Sequence, residues 1–286
     1  GAFPLANIRA WGGVGGWNHA SPGTVFLQRN GGEGILRIAT GGRSVAHWTP
    51  LGTASSIRFD VDRLVVSGAG LVVAPHHQLP VLANQVEVIE GANLTHPLTT
   101  TAAAYALVLT VTGDLTVDGE STVDASRRGY ARGYTVGNTT AGGATGRSGA
   151  SHGGYGHPAD GVTNEVYGDW ADPQLPGAGA VGSGTLAGIG GGVLRLTAAT
   201  VHLAGAIRAN GGDGQDNGWS IAGGGGAGGS IRLDVGTITG SGVIEANGGS
   251  LGSGAGGGGR VAVYHDGLGA FPLANIRAWG GVGGWN

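Results

Sequence analysis

The first 18 residues, GAFPLANIRAWGGVGGWN, return unchanged as residues 269–286, an offset of 268. An identity of that length, carrying Trp11 and Trp17 again as Trp279 and Trp285, marks one period of a tandem array plus a short overlap. An artificially copied end is the competing explanation. A period that ends on its own opening words needs a fold whose last element also serves as the first element of the next unit. Stacked repeats meet that need, because each unit contacts only its neighbours.

A shorter repeat lies inside the period. VLRLTAATVHLAGAIRAN, SIRLDVGTITGSGVIEAN and RVAVYHDGLGAFPLANIRAW each follow a Gly pair and lead into another, and Ile207, Ile244 and Ile276 fall 37 and 32 residues apart. Each unit reads as three short strands, for instance 194–197, 200–203 and 206–210, closed by a Gly-rich loop. Alternation turns Leu194, Leu196, Ile207 and Ala209 inward, together with Ile231, Leu233, Ile244, Ala246, Val261, Val263, Ile276 and Ala278. In-register stacking would set Arg208, Glu245 and Arg277 in an outer charge ladder, and Asn210 and Asn247 at one corner. The upstream strand signals are less evenly spaced, and no segment has a helical period with caps. The expected fold is therefore all-β, a parallel β-helix (β-solenoid) with long Gly-rich loops and almost no helix. Residues 1–268 form one repeat period, about 8 to 11 coils advancing roughly 40–55 Å. Within it, residues 129–192 are an inserted Gly-rich loop, which either packs on a neighbouring surface or moves freely. Residues 269–286 start the next period.

Gly supplies 65 residues and Pro 10, a composition at the edge of the low-complexity range, yet 40% of the chain is apolar and much of that alternates. The glycines are thus expected in turns around ordered strands. Without Cys there are no disulfides, and every basic residue is Arg. Stability must come from packing and backbone hydrogen bonds. No run approaches 18 apolar residues, so membrane insertion is not expected, and no leader is recognisable, so export would be directed from elsewhere. A net charge of −3 offers no basic stripe for nucleic acid.

The stretches GTVFLQRNGGEGILRI (23–38), LVVSGAGLVVAP (64–75), LTVDGESTVDASRRGY (115–130), SGASHGGYG (148–156), GGVLRLTAATVHLAGAIRANGG (191–212) and GGGGRVAVYHD (256–266) carry a resemblance. In that order they resemble the Gly-rich repeat modules of very large bacterial surface and extracellular proteins, many of them adhesin-like. The likeness spans nearly the whole period. It implies a secreted β-solenoid used for structure or attachment, with no catalytic residues to carry over.

Several patterns invite chemistry. GGDGQD, with Asp213 and Asp216, fits the opening of a calcium-binding β-roll nonapeptide, but Gly218 stands where an aliphatic residue is required and consecutive copies are lacking. Calcium through Asp213 and Asp216 is the one cofactor considered. His76-His77 would point to opposite faces of a strand, and His152 with His157 would chelate only in a rigid loop. Asp60 and Asp62, at i and i+2, share a strand face and are the best catalytic candidate for a β-helix polysaccharide-degrading enzyme. Without a cleft signal or a nearby Lys, a solvated strand edge is the favoured reading of the pair, and no enzyme is expected. Asn93 and Asn138 open glycosylation sequons.

Phe3, Trp11, Trp17, Phe271, Trp279 and Trp285, all in the duplicated segment, are expected to form the inter-repeat contact. Trp170, Tyr155 and Tyr167 of the inserted loop could stack on sugars. The expected function is a structural repeat unit of an extracellular or cell-surface filament, stacking end to end on copies of itself. A surface adhesin module binding glycan through residues 129–192 is the alternative, and the polysaccharide-degrading enzyme a second one.

Overall fold

The computed structural model describes residues 7–15, 20–45, 47–215, 223–250 and 252–283. It is nearly all β. Helix among these residues is confined to a 3₁₀ turn at Leu273–Asn275 and to Asn7, the equivalent of Asn275 in the first copy.

Among the described residues fifteen strands form two sheets. The first holds β1 (Val25–Gln28), β2 (Gly34–Ala39), β4 (Phe59–Ser67), β6 (Val81–Ile89), β8 (Leu107–Val117), β10 (Val193–Leu203), β12 (Ser230–Thr239) and β14 (Arg260–Gly267), in that spatial order. The second holds β3 (Thr49–Leu51), β5 (Val72–Pro75), β7 (Asn93–Leu94), β9 (Thr122–Asp124), β11 (Ala206–Arg208), β13 (Val243–Glu245) and β15 (Ile276–Arg277). From β2 onward the chain alternates between the sheets, and every pairing is parallel. The hairpin of β1 on β2 alone is antiparallel and ends the first sheet.

One core lies between the sheets. Leu64, Val86, Leu115, Val201 and Ile238 from the first sheet share it with Val73, Leu94, Val123, Ile207 and Ile244 from the second, all fully buried. Leu194, Leu196, Ala209, Ile231, Leu233 and Ala246 are buried as their alternation requires. Val261, Val263 and Ile276 are only half-buried and Ala278 is exposed, because they lie on the last rung with nothing stacked beyond.

Two expectations change. The strand signals at 194–197 and 200–203 are one continuous strand, β10, in unbroken register with β12; the irregularity lies in its other partner, β8, which advances from Val111 to Asp114 while β10 advances from Ala198 to Thr200. The two sheets also supply seven successive strand pairs rather than 8 to 11 coils. Residues 129–192 contain none of the fifteen strands and so lengthen the chain without adding a rung.

The Gly-rich segments do something the strand vocabulary omits. Along residues 223–229 the amides of Gly223, Gly226 and Gly229 donate to the carbonyls of Gln215, Gly212 and Ala209 at 3.0, 2.9 and 2.7 Å. Those of Gly224 and Ala227 donate to Val181 and Ala178, and those of Gly225 and Gly228 to Gly254 and Gly257. Successive amides thus reach three different neighbours, and every third returns to the same one. Three residues per turn is the period of a polyproline II helix, whose backbone groups all point outward. Here neighbouring segments, rather than water, satisfy them. The same rule runs through 186–192: Gly188 and Gly191 donate to Gly224 and Ala227 while accepting from Ala180 and Gly177. Residues 129–192 are thereby packed into a lattice with the Gly-rich turns that follow β11, β13 and β15. Close approach explains the composition, since a Cβ on Gly228 would lie 2.0 Å from the Ala246 carbonyl oxygen. Where space remains, Ala150, Ala178, Ala180, Ala187 and Ala227 form a second buried cluster.

Candidate inter-repeat site

The two copies of the duplicated segment occupy opposite ends of the stack, so each displays a different set of neighbours for one sequence. At the C-terminal end Ile276 and Arg277 pair with Ile244 and Glu245 of β13. The amides of Ala246 and Gly248 donate to the carbonyls of Arg277 and Trp279 at 2.9 and 2.8 Å, and Gly281 donates to Gly256 at 2.8 Å. Trp279 N–H donates to Asn247 Oδ1 at 2.9 Å, Val282 N–H to Ser250 Oγ at 3.1 Å, and Phe271 is 4% exposed within the main core.

At the N-terminal end the segment meets the residues that follow it. Gly23 and Ala20 donate to the carbonyls of Ala10 and Gly13 at 2.8 and 3.0 Å, three residues apart on each side, which is again the lattice rule. Arg43 Nη1 donates to the Gly12 carbonyl at 2.9 Å. Ala10, Gly12 and Gly13 correspond to Ala278, Gly280 and Gly281. The carbonyls used at this end are therefore not those used at the other.

The aromatic pairing repeats as well. Arg9 lies 4.4 Å from the Trp11 ring centroid, and Arg277 lies 4.8 Å from that of Trp279. Trp11 is further covered by Arg43, at 4.8 Å, and by the backbone of Gly41, whereas Trp279 is 61% exposed. Exposed apolar side chains occur at both ends, with Val14, Phe26, Trp48 and Ile57 at one and Leu273, Trp279 and Val282 at the other, and also between them, at Leu98, Val136, Tyr155, Val162 and Trp170. Phe3, Trp17, Trp285 and Asp216 lie outside the described residues.

Columns of side chains run up the stack beside this segment. Asn210 N–H donates to Ser126 Oγ, Asn247 N–H to Asn210 Oδ1 and Trp279 N–H to Asn247 Oδ1. The corner shared by Asn210 and Asn247 is thus built by each side chain accepting from the next backbone, and Trp279 takes part through its N–H. Three residues on, Asp213 Oδ1 accepts from Ser250 N–H at 2.7 Å and Ser250 Oγ from Val282 N–H. This bond gives the Asp213 carboxylate a structural partner, and no group of three His, Cys, Asp or Glu able to hold a metal occurs among the described residues. Of the charge ladder, Arg208 Nε reaches Glu245 Oε1 at 2.8 Å, while Arg277 Nε turns to the Ala274 carbonyl.

The other candidates are scattered. Asp60 and Asp62 line an open cleft of about 380 Å³ with Phe26, Leu82, Asn84, Thr110 and Thr112. Asp60 is paired with Arg58 at 2.6 Å, and Asp62 Oδ2 accepts from Gly34 N–H at 2.7 Å. His76 and His77 follow the end of β5, so strand alternation does not separate them, and their rings meet edge to face at 5.8 Å. His152 is fully buried with Nδ1 at 2.8 Å from the Gly228 carbonyl, whereas His157 is exposed; the two share no site. Asn93 uses its Oδ1 to accept from Asp124 N–H.

Sequence reading passed over two devices. His96, fully buried, donates from Nδ1 to the Pro97 carbonyl at 2.7 Å and accepts at Nε2 from Val193 N–H at 3.1 Å, joining the turn after β7 to the start of β10. Asp172 Oδ1 accepts from both Arg195 and Arg232, at 2.8 and 2.7 Å, and Tyr264 Oη donates to the Ala171 carbonyl. This strap of residues 167–175 lies across the outer side of β10, β12 and β14, and it leaves Trp170 78% exposed. The two arginines were legible as outward residues in register, but nothing in the sequence linked them to an acid far upstream.

Comparison with protein-family models, with curated proteins and with solved structures gave no match for this chain.

Proposed function

We propose that the two sheets are faces of one β-solenoid and that the chain is a structural repeat unit, stacked end to end on copies of itself in an extracellular filament. The observation that carries this reading is the complementary use of one segment. Residues equivalent to Arg9 and Trp11 accept from the rung below, while Ala10, Gly12 and Gly13 accept from the chain above. One copy of the segment can satisfy both neighbours at once, which is what a period boundary requires. The half-buried last rung and the open edge of β14 at one end, with the free edge of β1 at the other, are the surfaces such stacking would cover. The extracellular placement rests on the resemblance to surface-protein repeats.

The test is a chain of two periods, residues 1–268 followed by 1–286, imaged by electron microscopy beside the single period. Each period should lengthen a rigid rod by about 35–40 Å at the strand spacing. Two globular bodies joined at a variable angle would refute the reading.

A second reading, attachment through residues 129–192, is favoured by the exposed Trp170 and Tyr155, at 78% and 61%. Replacing both by Ala should abolish adhesion to a glycan-coated surface without altering the strand signal in circular dichroism. Unchanged adhesion excludes it.

A further inference from the structure

We infer that the C-terminal end of the stack is an acceptor site for the 18-residue segment, occupied in cis by residues 269–283 and open, once that segment is displaced, to residues 1–18 of a second copy. The inference rests on the proposed end-to-end stacking and adds that the boundary can form between separate chains.

The site is built from groups other than the segment itself. It offers the amides of Ala246 and Gly248, the carbonyls of Gly256, Ser241 and Gly242, Asn247 Oδ1 and Ser250 Oγ. The segment answers with backbone groups of residues 277–282, with the Asn275 amide and with the Phe271 ring in the core. This is strand addition to an open sheet edge, in which main-chain bonds supply affinity and side-chain pockets specificity. The second occupant is specified by sequence: residues 1–18 are identical to 269–286 at every position, so a site that takes one takes the other.

The N-terminal copy holds its own chain through the carbonyls of Ala10, Gly12 and Gly13, whereas the acceptor-facing groups of the other copy are the carbonyls of Arg277 and Trp279 and the amides of Trp279, Gly281 and Val282, so no single backbone group serves both. It can therefore stay docked at home while its other edge enters a second molecule. Such a contact joins head to tail and does not close, so it propagates as a filament. The cis segment acts as a cap: at the millimolar effective concentration of a tethered strand it outcompetes a free copy.

The experiment keeps the full chain and weakens the cap. In Phe271→Asp/Ile276→Asp, sedimentation velocity should show oligomers that lengthen with concentration, whereas the unaltered chain stays monomeric. A fluorescent peptide of residues 269–286 should bind the double variant, return it to monomer, and bind the unaltered chain at least tenfold more weakly. Adding Phe3→Asp and Ile8→Asp to the double variant should remove oligomers but keep peptide binding. If the double variant folds poorly, the milder Ile276→Ser, which leaves Phe271 in place, should still bind the peptide more tightly than the unaltered chain. Absence of peptide binding to both weakened chains overturns the inference, as do oligomers that the peptide does not dissolve. A two-period rod that forms while these tests fail would leave stacking intact and reject only docking between chains.

Discussion

The Gly226 amide donates to the Gly212 carbonyl at 2.9 Å, and a Cβ on Gly226 would sit 2.2 Å from the oxygen of Ile189 on its other side. Gly226 is thus enclosed by backbone on two sides with no flexible side chain to yield. Gly226→Ala must push segments 186–192 and 223–229 apart and break the three-residue rule locally. The expected cost is about 1–3 kcal/mol, the range for overpacking a close-packed interior. Gly119→Ala is the control, because a Cβ there meets nothing within 4 Å. Urea unfolding of the two variants checks the difference, and equal midpoints would show that the lattice relaxes freely.

The lattice bears on acid stability through His152, and the main sheet does so through His96. Burial pushes the pKa of each down from 6.5 to about 4. The two nitrogens of His96 already serve one acceptor and one donor, and a proton on Nε2 would face the Val193 N–H. His152 Nε2 is buried without a partner, and Arg260 nearby adds repulsion to a charged ring. Both rings are neutral in the folded chain and bind protons more readily once it unfolds. Their contribution is complete above about pH 6.5 and is lost progressively as pH falls toward 4, on the order of 3 kcal/mol for each ring. His96→Gln and His152→Gln should therefore flatten the fall in unfolding free energy between pH 6.5 and 4. An unchanged slope in both variants would place the acid sensitivity elsewhere.

One carboxylate ties the middle of the strap to the outer sheet, while Arg260 Nε and Ser230 Oγ hold its ends through the carbonyls of Tyr167 and Leu175 at 2.9 and 2.7 Å. Hydrogen bonds from Arg195 and Arg232 hold the pKa of Asp172 down at about 2. Those arginines are register partners on β10 and β12, so neutralising Asp172 leaves two like charges adjacent. Asp172→Asn should release the middle of the strap, seen as faster amide exchange there and lower fluorescence anisotropy of Trp170, with the protected core of β10 and β12 unchanged. Because the folded pKa is depressed, acid should act likewise only as pH falls below about 4 toward 2. Retained anisotropy in the variant would show that Tyr264 and the turn at Asp169 hold the middle of the strap unaided.

Parallel register was legible in the sequence wherever strand periodicity was strict. Ile207, Ile244 and Ile276 do share one ladder, and Arg208, Glu245 and Arg277 do line up outside it. The continuity of β10 was not, since Ala198 and Ala199 look like a turn to a two-residue rule although the strand runs through them. The glycine lattice was invisible for a deeper reason. Its period is three and its signal is the absence of side chains, so neither helical nor strand templates register it, and residues 129–192 read as a loop. Its partners also lie up to 107 residues apart, as for Gly257 N–H and the Ala150 carbonyl, a distance no local pattern encodes. Trp11, Phe271 and Trp279 were singled out from the duplication alone, whereas the different neighbours that the two copies meet are visible only in the fold.

The column Ser126, Asn210, Asn247, Trp279 allows interior and terminal rungs to be told apart by one chemical change. Asn210→Ala removes the acceptor for Asn247 N–H between two occupied rungs, where both residues are half-buried. The lost bond should cost about 1 kcal/mol of global stability. Asn247→Ala removes the acceptor for Trp279 N–H on the last rung, where Trp279 is 61% exposed and water can replace it. That loss should stay local: amides of residues 279–282 exchange faster while the unfolding midpoint moves little, as expected where stability falls toward an end. Native-state hydrogen exchange with denaturant titration reads both quantities. If Asn247→Ala lowers the global midpoint as much as Asn210→Ala does, the last segment is integral to the folding unit and cannot act as a removable cap.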